Sequence, residues 1–323
     1  MSTDRIIDRA EALRRGHTDE EIRRLCTTGA WTRLRRGVYL LGEDSAEDRS
    51  ARHRHLIQAT AECVCDRTVI SHASAAILHG FDLWATDLRR VHLTRDRTHG
   101  ARANPLVHVH SAPIDADEIC EVGGLRVTTP ARTLADLSRT LSFEQAVVVG
   151  DSALHRTTLT KDEARQALRA RPRRPGNVQA ARAIEFLDDR SESVGESRSR
   201  VRLHLNGITD LELQQSFLSP DGIYLGRTDF FDPTHSVIGE FDGRVKYGTY
   251  LKPGQDPGDA VFLEKQREDA LRDAGFEVVR WIWRELDDMA AVALRFRRAR
   301  ARAHTRRPDL TQCGCTSHAG WAM

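Results

Sequence analysis

No apolar run in this 323-residue chain approaches the length of a membrane span, and the N-terminus is charged from Asp4 onward, without the apolar core of a signal peptide. Those absences predict a cytoplasmic protein with no membrane partner. Net charge is nearly absent too: 49 lysines and arginines stand against 47 acids, for a formal +2. A uniformly polybasic chain is excluded, so contact with nucleic acid must come from local patches. Six cysteines are scattered, and neither Cys63 with Cys65 nor Cys313 with Cys315 has a matching second pair at zinc-finger spacing, so free thiols are expected. His304, Cys313, Cys315 and His318 offer an adventitious metal site at most, in what reads as a frayed tail. The middle segment has no serine nucleophile elbow, and no glycine-rich phosphate loop ending in Lys-Ser or Lys-Thr occurs anywhere, which disfavours acyl hydrolases and nucleoside triphosphatases. What the chain does have is charge, 30% of residues, with arginine far outnumbering lysine. A GC-rich coding bias explains that excess as well as phosphate recognition does.

The densest cluster of chemically useful groups lies between residues 227 and 246. Thr228 to Phe231 and Val237 to Phe241 are short β-branched or aromatic runs, and Asp-Pro-Thr-His between them supplies turn residues, so a hairpin is expected. It brings Asp229 close to Glu240. Alternation puts Glu240 and Asp242 on one face with Ile238, Gly243 ends the strand, and Lys246 lies just beyond. Clustered hard oxygen ligands hold Mg²⁺ with several waters in place. The ion activates one water and polarises a phosphate, while a lysine offsets developing charge. The alternative is an ordinary acidic hairpin whose charges face solvent.

The surrounding residues resemble the very-short-patch-repair (Vsr)-like branch of the PD-(D/E)xK nuclease superfamily. The resemblance covers about residues 190 to 286. It runs through Ser193-Val194-Gly195-Glu196-Ser197-Arg198, Arg227-Thr228-Asp229-Phe230, Gly239-Glu240-Phe241-Asp242-Gly243, Glu264-Lys265-Gln266-Arg267-Glu268-Asp269 and Gly275-Phe276-Glu277-Val278-Val279-Arg280-Trp281. It implies Asp229 and Glu240 as metal-binding acids, Glu196 as an accessory acid from the first helix, and Mg²⁺ or Mn²⁺ as cofactor; Asp242, beside them, is a candidate second ligand. Where the superfamily pattern has lysine two residues after the second acid, this chain has Asp242, which leaves Lys246 as the candidate replacement. Lys265, on the helix from about Ala260 to Ala274, is a minor candidate for contact near the scissile phosphate.

The first segment, to about Gly42, has the pattern of a helical DNA-binding unit. Ile6, Ile7, Ala10 and Leu13 recur at helical spacing, Gly16 stops that helix, and Thr18 with Glu21 forms a capping box for the next. After a turn at Gly29, Ala30 to Tyr39 reads as a short basic helix running into a strand, and the whole as a winged helix-turn-helix. Trp31, Arg33, Arg35 and Arg36 are its candidate DNA contacts. Residues 1 to about 156 resemble the AbiEi-type antitoxin family. The carriers are Leu34-Arg35-Arg36-Gly37-Val38-Tyr39, Ser71-His72-Ala73-Ser74-Ala75-Ala76-Ile77-Leu78-His79-Gly80 and Thr128-Thr129-Pro130-Ala131-Arg132-Thr133-Leu134-Ala135-Asp136-Leu137. The resemblance implies promoter DNA as a partner, a cognate toxin as another, and a middle domain that supports repression or antitoxicity.

Val91 to Thr94, Val107 to His110 and Leu125 to Thr128 read as alternating strands. Alternation puts His108 and His110 on one face, but with His92 no third ligand is secured, and half-exposed sheet histidines are the commoner meaning. His72 and His79 read as capping or packing residues. The basic, Pro- and Gly-containing stretch 169–177 reads as a boundary, and Arg295, Arg297, Arg298, Arg300 and Arg302 on the last helix as groups able to follow a DNA backbone. The expected class is α/β in the α+β sense, in five parts. These are a winged helix-turn-helix (1–45), an AbiEi-like mixed α/β domain (46–160), a linker and helix (161–189), a restriction-endonuclease-like mixed sheet flanked by helices (190–303) and a tail (304–323). The expected activity is Mg²⁺-dependent hydrolysis of DNA phosphodiesters. The alternative is a repressor or antitoxin of a type IV toxin–antitoxin system with a degenerate nuclease fold.

Overall fold

The computed structural model describes residues 6–42, 48–61, 68–96, 102–219, 221–243 and 257–303. The chain is α+β and divides into two compact units, Met1–Asp189 and Arg190–Met323. No helix among the described residues is long and apolar enough to cross a membrane.

The first unit begins with β1 (Ile6–Asp8), α1 (Arg9–Arg14), α2 (Asp19–Thr27), β2 (Trp31–Arg35) and β3 (Val38–Leu41), the strands forming an antiparallel sheet in the order β1-β3-β2. Two helices joined through Gly16, at φ +91°, precede a hairpin turned at Gly37, at φ +75°. The capping box is present: Thr18 accepts from the Glu21 N–H, and Glu21 accepts from the Thr18 N–H. Two expectations fail here. Ile6 and Ile7 are strand residues opposite Leu40 and Tyr39, because Asp8 caps α1 by accepting the Glu11 N–H and so starts the helix later. Residues 31–35 are a strand as well. Arginine favours helix, but pairing of Trp31 with Leu41, Thr32 with Leu40 and Arg33 with Tyr39 buries Trp31 and, past a register shift, Leu34, and that tertiary gain overrides propensity. No third helix follows α2, and the arginine run lies on the hairpin instead.

The rest of this unit comprises α3 (Arg49–Ala61), β4 (Thr68–Ile70), α4 (His72–His79), β5 (Val91–Arg95), β6 (Arg102–Ala103), β7 (Val107–Ser111), β8 (Ile119–Val122), β9 (Leu125–Thr128), α5 (Pro130–Thr140), α6 (Phe143–Arg156), α7 (Lys161–Arg169) and α8 (Asn177–Phe186). The strands form one mixed sheet, β6-β7-β5-β4-β9-β8, with β5/β7 and β4/β9 parallel. Leu34, Val38 and Leu40 of the hairpin share a core with Leu56, Ile57, Ile70, Val91 and Leu93. The stretch 169–177 is an internal turn of this unit rather than a boundary. Arg139 of α5 donates to Asn177 at 2.8 Å, and Arg171 pairs with Glu118 at 2.6 Å.

The second unit runs α9 (Val194–Leu205), β10 (Glu212–Leu218), β11 (Tyr224–Asp232), β12 (Val237–Asp242), α10 (Pro257–Asp273), β13 (Glu277–Ile282) and α11 (Ala290–Ala303). Its sheet, β10-β11-β12-β13, is antiparallel except for the β12/β13 pair, whose parallel sense requires the crossover that α10 supplies. Both faces are covered. Leu203, Phe230, Trp281 and Phe296 pack on one side, and Phe217, Phe231, Ile238, Leu271 and Phe276 on the other. Truncating Phe230 or Phe296 to Ala costs about 3–5 kcal/mol. Gly239 is required by that packing, since a Cβ there would sit 2.9 Å from the Phe296 and Trp281 rings. The β11–β12 turn is tied by Asp232, which accepts the N–H groups of Thr234 and His235 at 3.1 Å and the Arg300 guanidinium at 2.7 Å.

Candidate active site

Register brings the acids together. Phe230 pairs with Gly239, which sets Asp229 against Glu240, while Leu213 with Phe230 and Gln215 with Thr228 set Gln214 on the other side of Asp229. Glu240 stands directly opposite Arg280 in the parallel pair. A row of Gln214, Asp229, Glu240 and Arg280 therefore crosses the sheet. Gln214 takes a left-handed φ of +56°, strained for a side-chain-bearing residue, and its amide donates to Glu196 at 2.9 Å. Glu196 sits in the first turn of α9, where Ser193 caps the helix; its carboxylate also accepts the Ser193 hydroxyl at 2.7 Å and the Glu192 N–H at 3.0 Å. Gly195 lets α9 begin here, because any Cβ at that position would overlap the Phe241 ring.

Asp229 is partly buried, and its Oδ2 accepts the Phe241 N–H at 2.8 Å. Burial, followed by the charges of Glu196 and Glu240, pushes its carboxyl up to about 7, against the opposing pull of that N–H and of Arg267. Glu240, 6% exposed, is clasped on Oε1 by Arg267 of α10 and on Oε2 by Arg280, the latter at 2.6 Å. Arg267 also donates to the Arg227 carbonyl at 2.7 Å, and Arg280 reaches Glu268 at 3.3 Å. The result is a three-acid cluster bordered by two guanidinium groups. Its carboxylates are hard oxygen donors of the kind Mg²⁺ takes, although both oxygens of Glu240 are held by arginine.

Of the other expected residues, Asp242 is exposed at the end of β12, Lys265 is exposed on α10, and Lys246 lies outside the described residues. The side chain of Glu264 also lies outside them. In the first unit, Arg33 and Arg36 are exposed, while Arg35 is engaged by the Ala59 carbonyl at 2.8 Å. Trp31 is not a surface group. It is 8% exposed in a core with Ile7, Ala12, Ile22 and Tyr39, edge-on to His17, because the strand at 31–35 turns it inward. The arginines of α11 are largely committed within the unit: Arg295 to Glu285, Arg300 to Asp232, Arg302 to Glu277 and Arg297 to the Asn206 carbonyl. Sequence reasoning missed Gln214, Arg267 and Arg280 as members of the site. Arg280 carries one signal, a charge between the apolar residues Val279 and Trp281 of β13.

No protein-family model matches the chain. It is similar to two proteins of Mycobacterium tuberculosis, uncharacterized protein MT2308 (strain CDC 1551 / Oshkosh) and uncharacterized protein Rv2248 (strain ATCC 25618 / H37Rv). Each is 28% identical over 206 residues, spanning 64% of this chain and 71% of the relative. Among solved structures, the RV2827C protein from Mycobacterium tuberculosis matches 67% of this chain and 84% of its own at 15% identity and a TM-score of 0.37, a likeness too loose to carry an argument.

Proposed function

We propose that the chain binds DNA through its first unit and hydrolyses DNA phosphodiesters at the acid row of its second. The observation that carries this reading is the alignment of Asp229 with Glu240 on neighbouring strands, with Glu196 joined to the row through Gln214. The αβββαβ order of α9, β10–β12, α10 and β13 supports it, as does the Vsr-like resemblance. Asp229 and Glu240 would hold Mg²⁺ or Mn²⁺, with Asp242 as a further ligand. Bound there, the ion supplies an activated water and polarises the phosphate. Glu196 positions Gln214 and raises the local negative charge. Arg267 and Arg280, exchanged from Glu240, offer the planar donor forks that phosphate oxygens accept, the role first assigned to Lys246. Arg33 and Arg36 on the hairpin contribute backbone contacts to DNA.

The test is nicking of supercoiled and mismatched plasmid with Mg²⁺ or Mn²⁺ against EDTA, beside Glu240→Ala. Metal-dependent nicking lost in the variant is expected. A second reading, a repressor or antitoxin with a cognate toxin as partner, is favoured by one specific feature: both oxygens of Glu240 are neutralised by arginine, with Asp242 at the usual lysine position. DNA binding without cleavage under every metal condition would establish it in place of the first.

A further inference from the structure

The second cluster of chemically competent groups lies in the first unit and is independent of the acid row. His72 opens α4 immediately after β4, His92 lies on β5 and His110 on β7. Parallel pairing of β5 with β7 sets His92 opposite His108 and Thr94 opposite His110, so the strand histidines occupy adjoining positions. His72 joins them from the helix start with φ +50°, a left-handed conformation rarely adopted by a residue with a side chain. We propose that His72, His92 and His110 form a binding site for a transition-metal ion of the zinc class.

One ligating nitrogen from each residue lies within 4.8 Å of the other two. Zinc–imidazole bonds of about 2.0–2.1 Å in tetrahedral geometry separate neighbouring nitrogens by roughly 3.3 Å, so the three rings turn towards a common point as the ion binds. The rings are already in contact: His72 stacks on His110 at 3.7 Å and 11°, and His92 Nδ1 lies 2.9 Å from His110 Nε2. His108 stacks on His110 at 4.1 Å and is a further imidazole available for the fourth position.

One member of the set is oriented by a hydroxyl, as metal-site histidines commonly are. Ser71 Oγ engages His72 Nδ1 at 3.0 Å and leaves Nε2 as the ligand atom, while Thr94 donates to Ser71 at 2.8 Å. Three imidazoles select zinc, cobalt, nickel or copper over magnesium, so this site and the acid row differ in the ion they take. Sequence spacing pairs His108 with His110 but hides His72, which β4 and the α4 start deliver from elsewhere in the chain.

The experiment is a Zn²⁺ and Co²⁺ titration of the chelator-stripped full chain in millimolar Mg²⁺, followed by calorimetry and by cobalt visible absorption. One equivalent per chain is expected, with X-ray absorption showing nitrogen and no sulfur around zinc. Folded His92→Asn and His110→Asn variants should bind at least tenfold more weakly, and Cys313→Ser/Cys315→Ser should bind as wild type does. Absence of micromolar binding by wild type, retention of full affinity in folded His110→Asn, or loss in the cysteine variant would each overturn the assignment. If the histidine variants do not fold, the wild-type absorption spectrum decides, and a sulfur-containing or all-oxygen shell rejects the site.

Discussion

Glu240 and Arg280 stand opposite one another on parallel strands, and their side chains close an ion pair at 2.6 Å. With Arg267 on its other oxygen, Glu240 is a buried carboxylate held between two guanidinium groups. Arg280→Gln should therefore destabilise the second unit by about 1–3 kcal/mol, because part of a buried charge loses its partner. On the nuclease reading the same variant should also need less Mg²⁺ for half-maximal nicking while turning over more slowly. Urea unfolding and a metal titration of nicking measure the two effects, and a variant indistinguishable from wild type in both would remove Arg280 from the site.

Asp229 predicts an unusual pH dependence. Its folded carboxyl titrates at about 7, above the ordinary 3.8, so the folded state binds the proton more strongly. Below about pH 4 both states are protonated and the group contributes nothing. Stability then falls as pH rises from 4 towards 7, and the full penalty, up to about 4 kcal/mol, persists above 7. Asp229→Asn should accordingly stabilise the metal-free protein at pH 8, leave it nearly unchanged at pH 4, and abolish nicking while sparing DNA affinity. Denaturation curves at the two pH values check the first claim, and equal stability of variant and wild type at pH 8 contradicts it.

Gly195 separates packing from chemistry. A methyl group there overlaps the Phe241 ring, so Gly195→Ala should cost about 1–3 kcal/mol and displace Glu196 with the first turn of α9. Phe241→Leu in the same background should recover both stability and nicking. Failure of that rescue would show that the glycine serves something other than this contact.

Arg132 is the buried hub of the first unit, 2% exposed and paired with Glu118 at 2.7 Å and Asp136 at 2.8 Å, while Arg139 pairs with Asp136 at 2.7 Å. Arg132→Met removes one of the two arginines on each acid, leaving Asp136 to Arg139 and Glu118 to Arg171, and a loss of about 1–3 kcal/mol is expected. Hydrogen exchange should localise the loss to α5 and its neighbours. Unchanged protection of the α5 amides would refute it.

The hairpin arginines divide by environment. Arg33→Ala and Arg36→Ala should each reduce the dependence of log DNA affinity on log salt by about 1 without altering stability. Trp31→Ala, at a buried position, should instead lower stability by about 3–5 kcal/mol. Fluorescence anisotropy with duplex DNA at several salt concentrations measures the slopes. Slopes unchanged by both arginine variants would move the DNA contact elsewhere.

By itself the sequence determined the features set by neighbours a few residues apart. Thr18 and Glu21 cap α2 whatever packs against it, Asp232 and the turn residues after it make the β11–β12 hairpin, and alternation along 237–242 puts Glu240 and Asp242 on one face with Ile238. Asp229 and Glu240 were legible as a pair for that reason, since a hairpin makes them neighbours. Only the tertiary structure decided what surrounds them and what lies far apart in the chain. It placed Arg267 and Arg280 on Glu240, turned Trp31 into a core, tied the 169–177 turn into the first unit, and carried His72 to His92 and His110. The physical reason is that strand pairing and core packing act between distant residues with energies exceeding local propensity, so their outcome is written in no short stretch of the chain.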